Sequence, residues 1–234
     1  MVLSKYIIMA RLDRPEQKSE NPAVKFLKWK SNDKCFSYYD KSKEENFDVK
    51  LPIKFLFLEH YHTVKGWNDA SESAIYSNEV YAIGSTELKV RAFKGTSDIA
   101  EGLYKDIKPK VLESGGKYHR SIYVMTPDGE IINISLKGAA VQSYSDFYGD
   151  NNRLLDNQWI EVATAKDGKK GSIKYSTPVF TMGSTITEKQ NELANKAVGI
   201  LQEYMDAYTG KTKEGVEPIE EDKTNDAEPD DLSF

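Results

Sequence analysis

Cysteine and histidine are nearly missing from this chain: Cys35 is the one thiol, and His60, His62 and His119 are the three imidazoles in 234 residues. One thiol excludes an internal disulfide and suits a reducing compartment. His60 and His62 sit two apart and would share a strand face, but the chain has too few further ligands for a zinc set. No apolar run approaches the roughly 20 residues of a membrane helix. The segment from Met1 to Met9 is too short and poorly flanked for a secretory signal. These absences predict a cytoplasmic protein without membrane contact. The lysine loop of nucleotide hydrolases, the Gly-x-Ser-x-Gly elbow and the dinucleotide fingerprint are all absent. Gly115-Gly116-Lys117 reads as a helix stop, and Asp146, Asp150 and Asp156 read as turn formers. The expectation is no cofactor, no metal and no enzymatic activity.

Charge is present but unevenly placed. The net charge is −5 over the whole chain, yet residues 213–234 alone hold nine acids against two lysines. Residues 1–212 are therefore close to neutral, at +2. The acidic segment has almost nothing to bury and is expected to stay disordered. It finishes on Asp230-Asp231-Leu232-Ser233-Phe234, where an aromatic knob among carboxylates suits a greasy pocket rimmed by Arg or Lys on a partner protein. The same acids can compete for any basic groove of the body. The predicted organisation is thus a folded domain over 1–212 and an interaction tail over 213–234.

Strand signals dominate the first half. Phe26–Lys30 and Cys35–Tyr39 read as a hairpin around a polar turn, with Lys28 and Lys30 on one face and Leu27 and Trp29 on the other. Pro52–Tyr61 is a long β-rich run, followed by strands over Ala74–Ile83 and Leu88–Lys94. A helix is predicted from an Asp98 cap to Gly115, kinked or split at Pro109. Arg120–Met125 and Glu130–Lys137 form a second hairpin. A short helix follows from Gly138 to about Tyr148. Trp159–Ala165 and Ser172–Phe180 form a third hairpin around a basic turn. Thr185–Tyr208 closes as an amphipathic helix, with Thr185 and Glu188 as its capping box.

From Leu51 to Lys137 the order is three strands, a helix and two strands, which matches the oligonucleotide/oligosaccharide-binding (OB) barrel. The fold class expected is mainly β with helices: a five-stranded OB-fold barrel with extra hairpins, a C-terminal amphipathic helix and a disordered acidic tail. Together with the closing Asp-Asp-Leu-Ser-Phe, this resembles the bacterial and phage-encoded single-stranded-DNA-binding proteins, which end in Asp-Asp-x-Pro-Phe. Ser233 stands here in place of that proline. The segments Phe57–Gly95 and Gly116–Gly138 look most like the family's barrel. The resemblance implies a protein of DNA replication, recombination or repair. It would coat single-stranded DNA with little sequence preference and recruit replication and recombination proteins through Asp230, Asp231, Leu232 and Phe234. A protein-interaction scaffold and a strand-annealing recombination protein are the alternatives.

Single strands are held by cations on phosphates and by aromatic faces under bases. Aromatics beside cations in strands are therefore the candidates. Trp29, Trp67, Phe93 and Tyr123 are expected to stack. Lys28, Lys30, Lys65, Arg91, Lys94 and Lys117 are expected to neutralise phosphates. Phe55 and Tyr61, inside a continuous apolar run, are expected in the core.

Overall fold

In the computed structural model, residues 20–94 and 98–211 are described, with no side-chain description beyond residue 208. The sequence-predicted tail residues Asp230, Asp231, Leu232 and Phe234 lie outside this range. The strands are β1 (Phe26–Lys30), β2 (Cys35–Asp40), β3 (Glu45–Val49), β4 (Ile53–Asn68), β5 (Ser73–Ser77), β6 (Leu88–Ala92), β7 (Asp98–Gly102), β8 (Gly116–Met125), β9 (Ile131–Lys137), β10 (Gln158–Lys170) and β11 (Ile173–Thr185). The helices are α1 (Tyr104–Glu113), α2 (Gly138–Asn151) and α3 (Glu188–Lys211). The protein is mainly β, as expected. None of these helices is long and apolar enough to cross a membrane.

The main ladder runs β3-β2-β1-β9-β8-β4-β5-β6-β7, and the β10–β11 hairpin joins it at the start of β4. Neighbours are antiparallel except β1 and β9, which run parallel. The sheet is open: among the described residues no pairing joins its outer strands to close a barrel.

Alternation gives this sheet two different faces. One face carries Leu27, Trp29, Phe36, Ile122, Val124, Ile132, Ile134 and Leu136, packed with Val141, Tyr144 and Phe147 of α2. Farther along, Val64, Ile75, Leu88 and Val90 pack with Tyr104, Ile107 and Val111 of α1. On the opposite face, Leu56, Tyr123, Met125 and Ile131 take Ala194, Ala197, Leu201, Tyr204 and Met205 of α3. A β-bulge at Leu58 decides which β4 side chains go where. Leu56 pairs with Met125 before it, whereas Glu59 pairs with Tyr123 after it. Even-numbered residues of β4 face α3 upstream of the bulge and odd-numbered ones do so downstream.

Several expected boundaries move. Asp98–Gly102 is strand β7 rather than the first turn of a helix. Its Gly102 has φ +143°, which only glycine adopts readily, and α1 begins two residues later. Pro109 lies inside α1, which continues through it as one element. The strand expected to reach Ile83 stops at Ser77, and the one expected to reach Lys94 stops at Ala92. The α3 capping box is Thr187 and Gln190, not Thr185 and Glu188. The Gln190 amide donates to Thr187 Oγ1 at 3.3 Å, and the Thr187 amide donates to Gln190 Oε1 at 2.8 Å.

Candidate nucleic-acid interface

The sheet face that α3 partly covers becomes polar and basic beyond the helix. Cross-strand register places its residues in rows. Lys28 pairs with Ser135, Ser135 with Ser121, and Ser121 with Tyr61. One row on, Lys137 pairs with His119, and His119 with Thr63. In the next row Lys117 pairs with Lys65, Lys65 with Tyr76, and Tyr76 with Arg91. Directly opposed residues of a sheet share a face. Lys28, Lys137, Lys117 and Lys65 therefore form a diagonal across β1, β9, β8 and β4, continued by Tyr76 and Arg91 on β5 and β6. Five strand spacings of roughly 4.8 Å give this diagonal a breadth of about 24 Å.

All four lysines act electrostatically on His119. His119 is buried, and burial pushes its imidazole well below the usual histidine range, with Lys65, Lys137, Lys28 and Lys117 acting in the same direction. A neutral His119 meets Ser135 Oγ through Nδ1 at 2.9 Å. Beneath the lysines Thr63, Ser121, Asn133 and Ser135 are buried polar groups, and Asn133 Nδ2 donates to Ser121 Oγ at 2.7 Å. Asn133 Oδ1 is buried and has no hydrogen-bond partner. Among the described residues no carboxylate pairs with Lys28, Lys65 or Lys137. Four ammonium groups around a neutral ring repel one another and favour a polyanion over them.

Rings adjoin the diagonal at its β4–β6 end. Trp67 pairs with Ala74, and the Phe93 amide donates to the Ala74 carbonyl at 2.8 Å. Trp67 and Tyr76 are half-buried, and Phe93 is 49% exposed. Two close backbone approaches hold Trp67. A Cβ on Gly66 would strike the Gly115 carbonyl, and one on Gly115 would strike the Trp67 carbonyl. Asn68 Nδ2 adds a hydrogen bond to the Ser114 carbonyl at 3.0 Å.

Not every predicted residue joins this surface. Trp29 is 3% exposed in the core, with Nε1 donating to the Ser176 carbonyl at 2.9 Å. Its neighbours Lys28 and Lys30 leave the strand on the other face, so adjacency in sequence does not bring cation and ring together. Tyr123 is on the lysine face but 1% exposed beneath α3, its hydroxyl donating to Glu79 at 2.9 Å. Both are corrected to core residues. Lys30 is held by Asp33 at 2.6 Å and Asp48 at 3.1 Å. Arg91 donates to Asp98 at 2.6 Å. Lys94 is exposed beyond the end of β6. Phe55 is core, whereas Tyr61 is half-buried and packs at the edge of the α3 cluster. Tyr76 and Lys137 were absent from the sequence candidates. Their signal was cross-strand alignment with Lys65 and His119, which a single strand does not display.

Two metal-like groupings have other occupations. Asp33, Cys35 and Asp48 bring ligand atoms within 4.8 Å of one another, but the Lys30 ammonium bonds both carboxylates. His60 and His62 share a face as expected, and their Nδ1 atoms meet Tyr144 Oη at 3.0 Å and Tyr118 Oη at 2.6 Å. Comparison with known proteins gives no matching family model, no matching curated protein and no matching solved structure.

Proposed function

We propose that this chain binds single-stranded DNA, with little sequence preference, across the lysine-bearing sheet face. The observation that carries the reading is the placing of Lys28, Lys65, Lys117 and Lys137 on one sheet face by cross-strand register, with Lys28, Lys65 and Lys137 lacking carboxylate partners among the described residues. Phosphates follow the lysine diagonal. Trp67 and Phe93 stand two strand spacings apart, about 9.6 Å, on either side of Ala74, and are the rings on which bases stack. Stacking there supplies roughly 1–3 kcal/mol per base and reads no sequence. Phosphate contact likewise carries no base information.

The sheet order supports an OB-type core within this larger sheet. β4, β5, β6, β8 and β9 lie in the ladder order β9-β8-β4-β5-β6, with β7 and α1 between the third and fourth strands. In this reading the barrel is opened between β6 and β9, where β7 and β1 take the places of the closing pair. The acidic residues of 213–234 compete with DNA for the same lysines and recruit replication, recombination or repair proteins, placing the chain in those processes.

The test is a fluorescence anisotropy titration of labelled oligo-dT at 50 and 200 mM salt with the full chain. Saturable binding that weakens with salt supports the reading. Equal binding to duplex and single strand, or none at low salt, overturns it.

A further inference from the structure

The β10–β11 hairpin continues as an arm beyond its pairing with the main sheet. β10 pairs with β4 only over Ile160–Val162, whereas its pairing with β11 runs on to Lys170 and Ile173. Gly171, at φ +59°, turns the chain at the far end. Hydrogen bonds clamp the arm to the β1–β2 turn. The Ser176 amide donates to Ser31 Oγ at 2.6 Å, and Ser176 Oγ donates to the Ser31 carbonyl at 2.5 Å. Lys34 Nζ donates to Asp167 Oδ2 at 2.7 Å.

Register sorts the arm's side chains onto two faces. Asp167, Lys169 and Lys174 share the face of Ser176, and Lys166, Lys170 and Tyr175 share the opposite one. Tyr175 pairs with Gly168, and its ring lies across that glycine: a Cβ there would meet Tyr175 Cε2 and Cζ at 2.4 Å. Tyr175 is half-buried, with one side of its ring against this backbone. Lys166 and Lys170 stand two residues to either side of Gly168, which places the ring between two ammonium groups. Lys166, Lys169, Lys170 and Lys174 are all exposed. Lys169 and Lys174 are directly opposed like charges, which weakens a hairpin. Asp167 is the one acid between Lys166 and Tyr175, and Lys34 neutralises it. Among the described residues no carboxylate pairs with Lys166, Lys169 or Lys174. Opposed lysines without acids, around a ring covered on one side, complement a polyanion that carries flat bases.

We infer that this arm is a second contact for single-stranded DNA, in which phosphates meet Lys166 and Lys170 and a base stacks on Tyr175 between them. The inference rests on the DNA reading above and lengthens the bound strand, because the turn that holds the arm follows β1, the strand of Lys28. Four residue steps separate Lys166 from Lys170, about 14 Å, so each takes a different phosphate.

The test is anisotropy of the full chain with labelled oligo-dT of about 8 and about 20 nucleotides, within and beyond the span of one OB-type site. Lys166→Gln with Lys170→Gln should weaken the long oligo about fivefold or more and make its salt slope shallower by about 1.4. The short oligo, held by the lysine face, should stay within about twofold. Tyr175→Leu should weaken the long oligo several-fold, and Tyr175→Phe, which keeps a ring over Gly168, should restore it. The lysine variant alters only exposed side chains, so it carries the test should Tyr175→Leu loosen the hairpin. Wild-type binding of both oligos with an unchanged long-oligo affinity and slope in the lysine variant overturns the arm and leaves the lysine face standing. Equal losses on both oligos also overturn a separate arm. No binding of either oligo to the wild-type chain overturns the face and the arm together.

Discussion

Replacing Lys65 and Lys137 together by glutamine probes the phosphate track without touching a ring or the core. Both side chains are half-buried on the polar face, and neither pairs with a carboxylate among the described residues. For single strands, log K falls with log salt by roughly 0.7 per phosphate neutralised. Four lysines on four phosphates predict a slope of about −2.8, which is about a 50-fold loss between 50 and 200 mM salt. With two lysines gone the slope becomes about −1.4 and the loss over the same range about sevenfold. Removing two like charges from the cluster around His119 also relieves repulsion, so thermal stability should hold or rise slightly. The assay is oligo-dT anisotropy at four salt concentrations, with a melting curve for each variant. An unchanged slope in a folded double variant would refute the phosphate track.

Further expectations follow from the same geometry. Trp29→Phe should lower stability by about 1–3 kcal/mol in denaturant unfolding, because it removes packing and the bond to Ser176, while oligo-dT affinity stays within twofold. Gly66→Ala should destabilise the β4–β8 junction and weaken oligo-dT binding, since its methyl would strike the Gly115 carbonyl. Acid should unfold the protein early. His60 and His62 are depressed to about 4 and about 3, and an unfolded chain takes up protons near 6.5, so stability present above that pH is lost as pH falls. Each should cost about 1.4 kcal/mol at pH 5.5, read as a falling urea midpoint that His60→Gln flattens. Deleting residues 213–234 should leave DNA binding equal or tighter, and weaker binding would contradict competition by the acids.

Much of the β framework was legible because alternation and turn chemistry agree. The β1–β2, β8–β9 and β10–β11 hairpins and helix α2 exist where the pattern puts them, but β8 starts at Gly116, and β10 and β11 pair through Lys170 and Ile173, the expected basic turn being strand. The region around Asp98 misled because Ile99, Leu103 and Ile107 at four-residue spacing read as a helix stripe, while Gly102 permits a strand to end there. The site was half legible. Lys28, Lys65, Lys117, Trp67 and Phe93 lie on or beside the candidate face, whereas the lysines flanking Trp29 leave the strand on the face opposite its ring. Tyr123 is covered by α3, which lies far along the chain and leaves no signal in the sequence around Tyr123. Lys137 and Tyr76 depend on register with His119 and Lys65, and the bulge at Leu58 sets which β4 side chains share their face.

The most direct measurement uses a chain whose only tryptophan is Trp67, with Trp29 and Trp159 replaced by phenylalanine. Oligo-dT should quench its fluorescence saturably, and raising salt should reverse the quench in step with dissociation. Oligo-dT that binds, by anisotropy, while leaving Trp67 emission unchanged would contradict the assignment of this sheet face.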